Sequence, residues 1–246
     1  MSTKMKNQTE QEYSEKLKIK IELEKNLYQK IDGSSLKSFE RINKYLKGMS
    51  YFFDRNLIKG HLDFESIASL IAQKKNFKVI SGRNPSAPLH LGHLALFRLL
   101  LELQKLGATI FIPFTNDESF IDGKVDSFES GLKTAYETIP YLIALGFDPE
   151  KTKVLVHTEY LDIYKLGMYF GSHVNTNQLK SLFGEGSINT PSKVFYRGAV
   201  QLASILMLQL EEFGGSQNTL VPVSLDQHPY VLLTRDVANK VKMTPP

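Results

Sequence analysis

From Asn76 onward the chain alternates between two hydrophobic periods. A short apolar, β-branched run at positions 77–80 (Phe, Lys, Val, Ile) is followed by Leu94, Leu96, Phe97, Leu99, Leu100 and Leu103 at helical spacing. This predicts a strand ending at Ile80 and a helix over about 90–106. The same reading predicts strands at 108–114, 153–157 and 219–223. Between them it predicts helices near 128–145, 161–172, 176–183 and 191–213, with a last helix after Pro229. Alternating βα units mean a mainly parallel sheet covered by helices. In such sheets ligands sit at the carboxyl ends of the strands.

Ahead of this region the pattern is less regular. Residues 1–35 are rich in Lys and Glu with scattered apolar positions such as Leu17, Ile19, Ile21, Leu23 and Leu27, and Asp32-Gly33-Ser34-Ser35 marks a turn. We read a charged, partly helical extension over 1–50 and a principal domain over 51–246. Two short amphipathic patterns, near 38–47 and 64–73, flank FFDRNLIKGHLDF, in which His61 reads as a polar loop residue.

The 246 residues are 42% hydrophobic, enough for a sizeable core. No apolar run reaches membrane-spanning length and the N-terminus has no apolar signal segment, so a cytoplasmic protein without a membrane partner is expected. The absence of cysteine excludes disulfides and thiol chemistry. A formal charge of +4 is compatible with a polyanionic partner but does not require one.

Candidate chemistry concentrates in SGRNPSAPLHLGH, residues 81–93, between the first strand and its helix. Small residues allow a ligand close to the backbone, and a helix N-terminus offers unpaired N–H groups to phosphate. Arg83 could hold a phosphate or carboxylate by a bidentate fork. His90 and His93, three residues apart, fall on one helical face with Gly92 between them. Taken alone such a pair is an ordinary surface feature, and no third ligand at metal spacing argues for a metal site. Downstream, FTNDESF (114–120) clusters carboxylates at a strand end, suited to a donor ligand or to an acidic turn. Gln201 is a lone amide between apolar neighbours. In PVSLDQHPYVLLTRDVA (222–238), Asp226 offers acceptors suited to ribose hydroxyls and Gln227 a donor and an acceptor.

The stretch at 81–93 resembles the HIGH-type signature of class I aminoacyl-tRNA synthetases, in the form found in tryptophanyl-tRNA synthetases of the archaeal and eukaryotic kind. FTNDESF resembles that family's TDDEKF, the segment ending in Gln201 its FPAIQ, and DQHP followed by TRDVA its most specific downstream pair; NQLKSLFGEGSI (177–188) is similar to its LKxxxGF stretch. Tyrosyl-tRNA synthetases, the sister family, lack the combination of DQ-proline and TRDVA. The resemblance covers about 51–246. It implies a Rossmann-like α/β catalytic domain, incomplete at the C-terminus, that activates tryptophan with ATP and passes it to tRNA(Trp). His90 and His93 are then the catalytic residues. Arg83, His90, Gly92, His93, Asp226 and Gln227 would bind ATP, supplied with Mg2+. Ile80, Glu118, Gln201 and Gln227 would face the amino acid. A homodimer is the family's usual state.

Several positions depart from the family. Ile80 and Pro113 stand where the eukaryotic pocket has tyrosine and glutamine, Ser224 replaces a glycine, His228 an aspartate, and Ser119 a lysine. A tyrosyl-type synthetase and a non-catalytic binding relative are the alternative readings. Lys242-Met243-Thr244 superficially resembles the start of a KMSKS loop but lies too close to TRDVA, so we read it as the beginning of the next loop. For residues 1–246 alone, the expectation is weak or absent tryptophan-dependent ATP–pyrophosphate exchange; exchange at an ordinary enzymatic rate would refute it.

Overall fold

The computed structural model describes residues 36–246, so the predicted extension lies outside the described residues up to position 35. The chain divides into two compact units, with the boundary between Glu65 and Ser66.

In the first unit, Lys37–Ser38 (β1) pairs antiparallel with Gly60–His61 (β2), and helices Glu40–Leu46 (α1) and Tyr51–Asp54 (α2) lie between them in the chain. The centre is aromatic. Phe39 packs on Phe53 and Phe64 with ring centroids 5.8 and 5.1 Å apart, and His61 meets Phe39 edge-on at 5.9 Å. The predicted polar loop histidine is therefore corrected: His61 is buried and its Nδ1 accepts from the Phe64 N–H. Burial lowers its pKa.

The second unit is the α/β body. Its strands are Phe77–Ile80 (β3), Ala108–Phe114 (β4), Thr152–Val156 (β5) and Thr219–Leu220 (β6), all parallel in the order β5-β4-β3-β6. Helix Glu65–Ala72 (α3) precedes the sheet. Leu91–Lys105 (α4), Asn116–Ile121 (α5), Phe128–Leu145 (α6), Asp162–Gly171 (α7) and Thr176–Phe183 (α8) connect and cover the strands. Strands β3 and β4 are almost wholly buried, which is why they read as near-continuous apolar runs. On one side Phe97, Leu100 and Leu103 of α4 are enclosed, each such side chain contributing about 1.5–3 kcal/mol. On the other, Ile80 and Phe111 join Ile163, Phe170, Leu202 and Leu206 in one cluster. No helix among the described residues is long and apolar enough to cross a membrane.

Three predicted elements differ. FTNDESF is not a turn: β4 runs directly into α5. The strand predicted at 219–223 is only two residues long. The single helix predicted over 191–213 is Pro191–Phe195 (α9), a π-turn at Tyr196–Val200, Gln201–Leu206 (α10) and two 3-10 turns. Residues 202–208 are all buried, so no polar face marks where the helix ends. A partner from β3 marks it instead: the ammonium of Lys78, 2% exposed, donates to Leu208 O at 2.6 Å and Gly215 O at 2.7 Å. Leu208 O thus binds a cation, and Leu210 turns extended. The last helix is His228–Lys240 (α11).

Past β3 the chain stays against β4. Arg83 N–H donates to Pro113 O and Thr115 N–H to Arg83 O, both at 3.1 Å, a parallel bridge between Arg83 and Phe114. Gly82 permits this approach, because a Cβ there would lie 1.8 Å from Pro113 O. Replacing Gly82 by Ala is expected to cost about 3 kcal/mol or more, since backbone rather than a flexible side chain must yield. Urea unfolding checks it, with Gly186→Ala, whose Cβ would meet nothing within 4 Å, leaving the midpoint unchanged.

Candidate functional site

The loop from Ser81 to His90 is fixed at both ends. The Ser81 hydroxyl donates to Pro222 O at 2.6 Å, tying the loop start to the segment that leads into Asp226. At its other end His90 is the N-cap of α4, with extended backbone before the first helical residue. Its Nδ1 accepts from Gly92 N–H at 3.2 Å, while His93 Nδ1 accepts from His90 N–H at 3.3 Å. This is a capping box in which two imidazoles replace the usual hydroxyl and carboxylate. The backbone thereby decides the tautomer. With each Nδ1 used as acceptor, the ring proton sits on Nε2, and both rings keep one donor for a ligand. The rings lie 3.8 Å apart between centroids.

Gly92 has a role the sequence did not suggest. A Cβ there would lie 3.0 Å from His90 Cε1, so the missing side chain makes room for the His90 ring. Arg83 also differs from its reading as a bidentate fork. It is buried, with Nη2 on Ala87 O and Nε on Asn84 O at 3.4 Å, so one edge of the guanidinium holds its own loop. Its Nη1 is buried and has no hydrogen-bond partner in the protein. Burial lowers the Arg83 pKa.

At the end of β4, Thr115 caps α5 without a hydrogen bond from the helix to its side-chain hydroxyl. That hydroxyl donates to Glu118 Oε2 at 2.9 Å, and Asn84 Nδ2 reaches the same oxygen at 3.3 Å. Burial raises the pKa of Glu118, and these two donors offset part of the rise. Beneath it, Asp117 accepts from the Glu118 N–H at 2.9 Å and the Tyr164 hydroxyl at 3.1 Å. His157 bridges Asp117 at 3.0 Å and Ser204 Oγ at 3.0 Å. The order Ser-His-Asp is that of a nucleophilic triad, but the three are 3%, 1% and 2% exposed. No substrate reaches them. They act as a buried tie between α5, the end of β5 and α10.

Gln201, the first residue of α10, accepts on Oε1 from the Tyr196 hydroxyl at 2.9 Å. Asp226, in the turn before α11, is exposed and accepts from the Ser224 hydroxyl and from Gln227 Nε2 at 2.8 Å. The Ser224 bond, with Gln227 and the backbone adding to it, holds its carboxyl below the usual range. Ile80 is closed into the core at 2% exposure, so its side chain acts through packing. Asn84, Thr115 and Tyr196 are the supporting groups that sequence reasoning missed. Only Thr115 had a local signal, three residues before Glu118.

His93 supplies a direct check. Burial, then the nearby charges of Arg83 and His90, lower its pKa from 6.5 to about 4. Between those values the unfolded chain binds more protons, so this contribution to stability is complete above about pH 6.5 and is lost as pH falls toward 4. Two-dimensional NMR of the imidazole signals is expected to show His93 titrating near 4; a midpoint above 6 would contradict the geometry.

The profile of the family described as tRNA synthetases class I (W and Y) matches residues 72–246. The tryptophan–tRNA ligase of Methanocaldococcus jannaschii is 38% identical over 200 residues, covering 80% of this chain and 54% of that protein. That of Aeropyrum pernix is 33% identical over 193 residues, covering 78% and 51%. The chain thus spans about half the length of these curated relatives. Among solved structures, the tryptophanyl-tRNA synthetase of Aeropyrum pernix K1 superposes with a TM-score of 0.78 at 30% identity, over 88% of this chain and 59% of that one. The Encephalitozoon cuniculi enzyme bound to tryptophan gives 0.79 at 26%, over 89% and 63%. With the family profile running over residues 72–246, most of its length, the chain belongs to the class I tRNA synthetases of the tryptophan and tyrosine type.

Proposed function

We propose that this chain carries the ATP- and amino-acid-binding half of a tryptophan–tRNA ligase, acting in the cytoplasm as a homodimer on tryptophan, ATP and tRNA(Trp). The observation that carries the reading is the pair of imidazoles at the start of α4, each holding a backbone N–H on its Nδ1 and so left with its proton on Nε2. Curated relatives named tryptophan–tRNA ligases favour tryptophan over tyrosine as the amino acid.

In the proposed reaction a tryptophan carboxylate oxygen attacks the α-phosphorus of ATP, which enters as its magnesium complex. The new O–P bond forms as the bond to the β-phosphate oxygen breaks, and pyrophosphate leaves with the electron pair. No protein proton is consumed. What the site must supply is placed donors for charge that builds on phosphate oxygens, and donors already held in position need no reorganisation as the charge develops. His90 and His93 fill that role with the α4 N-terminus behind them. Arg83 offers its remaining Nη1. Asp226 and Gln227 take the ribose, and Glu118 accepts from the ammonium group of tryptophan. Gly92 keeps His90 seated, and Ile80 backs the amino-acid pocket from the core. The adenylate then passes its aminoacyl group to the terminal hydroxyl of tRNA, releasing AMP.

Binding tests this without requiring turnover. The chain has no tryptophan, so red-edge excitation of indole reports only added ligand. Fluorescence anisotropy of tryptophan is expected to rise on adding the protein, and excess tyrosine to leave it bound. Glu118→Gln should weaken tryptophan at least tenfold, consistent with about 1.5–3 kcal/mol for a hydrogen bond to a charged group. Equal displacement by tyrosine would favour the tyrosyl-type reading, and no rise at all would end the amino-acid assignment.

A further inference from the structure

Lys78 is the one charged side chain on β3, and its ammonium donates to two main-chain carbonyls, Leu208 O at 2.6 Å and Gly215 O at 2.7 Å. An ammonium has three donors and no acceptor, so one enclosed at 2% exposure must find oxygens inside the protein. These two stand at opposite ends of the stretch 208–215. Satisfying the ammonium therefore closes that stretch into a loop, and Gly214 and Gly215, with φ of 92° and 72°, turn it back on itself. The Lys78 N–H also donates to Asn218 O at 3.1 Å. Side chain and backbone of one residue thus hold both the loop and the approach to β6.

The same loop grips a second segment. Gln209, next to Leu208, donates from Nε2 to Thr244 O at 2.6 Å and accepts on Oε1 from the Thr244 N–H at 2.9 Å. Ser216, next to Gly215, has its hydroxyl 3.1 Å from that of Thr244. At each end of the loop, then, one residue holds Lys78 and its neighbour holds Thr244. After the loop, Thr219 and Leu220 pair with Lys78 and Val79, and Pro222 O takes the Ser81 hydroxyl at 2.6 Å. The chain from Leu208 to Pro222 is fastened to Lys78, Val79 and Ser81, and it runs directly into Asp226 and Gln227.

We propose that Lys78 is a positioning residue for nucleotide binding, its ammonium closing the 208–216 loop so that the loop fixes both the approach to Asp226 and Gln227 and the Lys-Met-Thr segment at 242–244. This rests on the nucleotide site proposed above. Lys78 touches no ligand and acts only through the loop. Without its charge two buried carbonyls lose their donor, and the loop must move to find another.

Lys78→Met keeps an apolar stem of similar length and removes the ammonium. In calorimetric titrations of the chain it should weaken magnesium ATP about tenfold, through misplacement of the ribose side, and leave tryptophan within about twofold. The Thr244 backbone amide signal of the ligand-free protein should shift in the same variant. In Lys78→Ala, propylammonium supplies the missing atoms and is expected to restore ATP affinity; 1-propanol, of the same size without the charge, is not. Equal losses of ATP and tryptophan would mean that Lys78 is only scaffold and would overturn the proposal, as would undiminished ATP binding by Lys78→Met, an unmoved Thr244 amide, or rescue by 1-propanol as good as by propylammonium. Should both variants fail to fold, hydrogen exchange of the unaltered protein decides: ATP, and not tryptophan, is expected to slow exchange at the Gly215 and Thr244 amides together, and exchange there indifferent to ATP would end the idea. If the unaltered protein binds no ATP, the nucleotide reading falls, and the Thr244 amide in Lys78→Met still decides whether Lys78 sets the loop.

Discussion

Everything at the candidate site hangs on the contact between Gly82 and the backbone of Pro113. Because no side chain intervenes, the chain leaving β3 stays paired with β4 for one further bridge, at Arg83 and Phe114. That bridge sets Asn84 beside Glu118 and starts the loop that ends at the His90 cap. The two strand ends are thereby built as one surface. The loop needs few other supports: the Ser81 hydroxyl on Pro222 and one edge of Arg83 on its own carbonyls.

A second principle runs through the site, in which backbone groups and buried neighbours decide what each functional side chain can offer. The α4 N-terminus assigns the tautomers of both imidazoles. Thr115 gives its proton to Glu118 rather than to the helix it caps. Asp226 is engaged by Ser224 and Gln227. In each case polar capacity is partly spent inside the protein, and the remainder is directional. This is preorganisation at the level of single donors and acceptors.

The parallel α/β body was legible because alternation of short apolar runs with helically spaced segments is a local signal, and the β3-loop-α4 junction was legible because its small residues and helix start adjoin in the chain. What escaped depends on partners far away. The helix predicted over 191–213 ends where Lys78, some 130 residues earlier, takes Leu208 O, and nothing near Leu208 announces it. His61 reads as a loop residue until Phe39 and Phe64 are seen around it. Tyr196 is one aromatic among several in a helical run, and its meaning comes from a π-turn that no periodicity predicts. Arg83 was recognised as the loop's cation, but its burial and its carbonyl partners were not, because they follow from the turn of the loop itself.

The strand order carries a consequence for how the protein comes to be made. Strand β3 sits inside the sheet, with β4 on one side and β6, from the far end of the body, on the other. During synthesis β3, β4 and β5 emerge together, but the β6 side of β3 stays open until residues near Thr219 appear. Over that interval the nascent chain presents an unpaired strand edge beside a lysine whose carbonyl partners do not yet exist. Such an edge invites pairing with other chains, and a charge on it is one of the recognised ways to discourage that. Lys78 is buried on its two carbonyls in the finished protein, and until residues 208–215 follow, its ammonium is a charge of the kind that discourages such pairing.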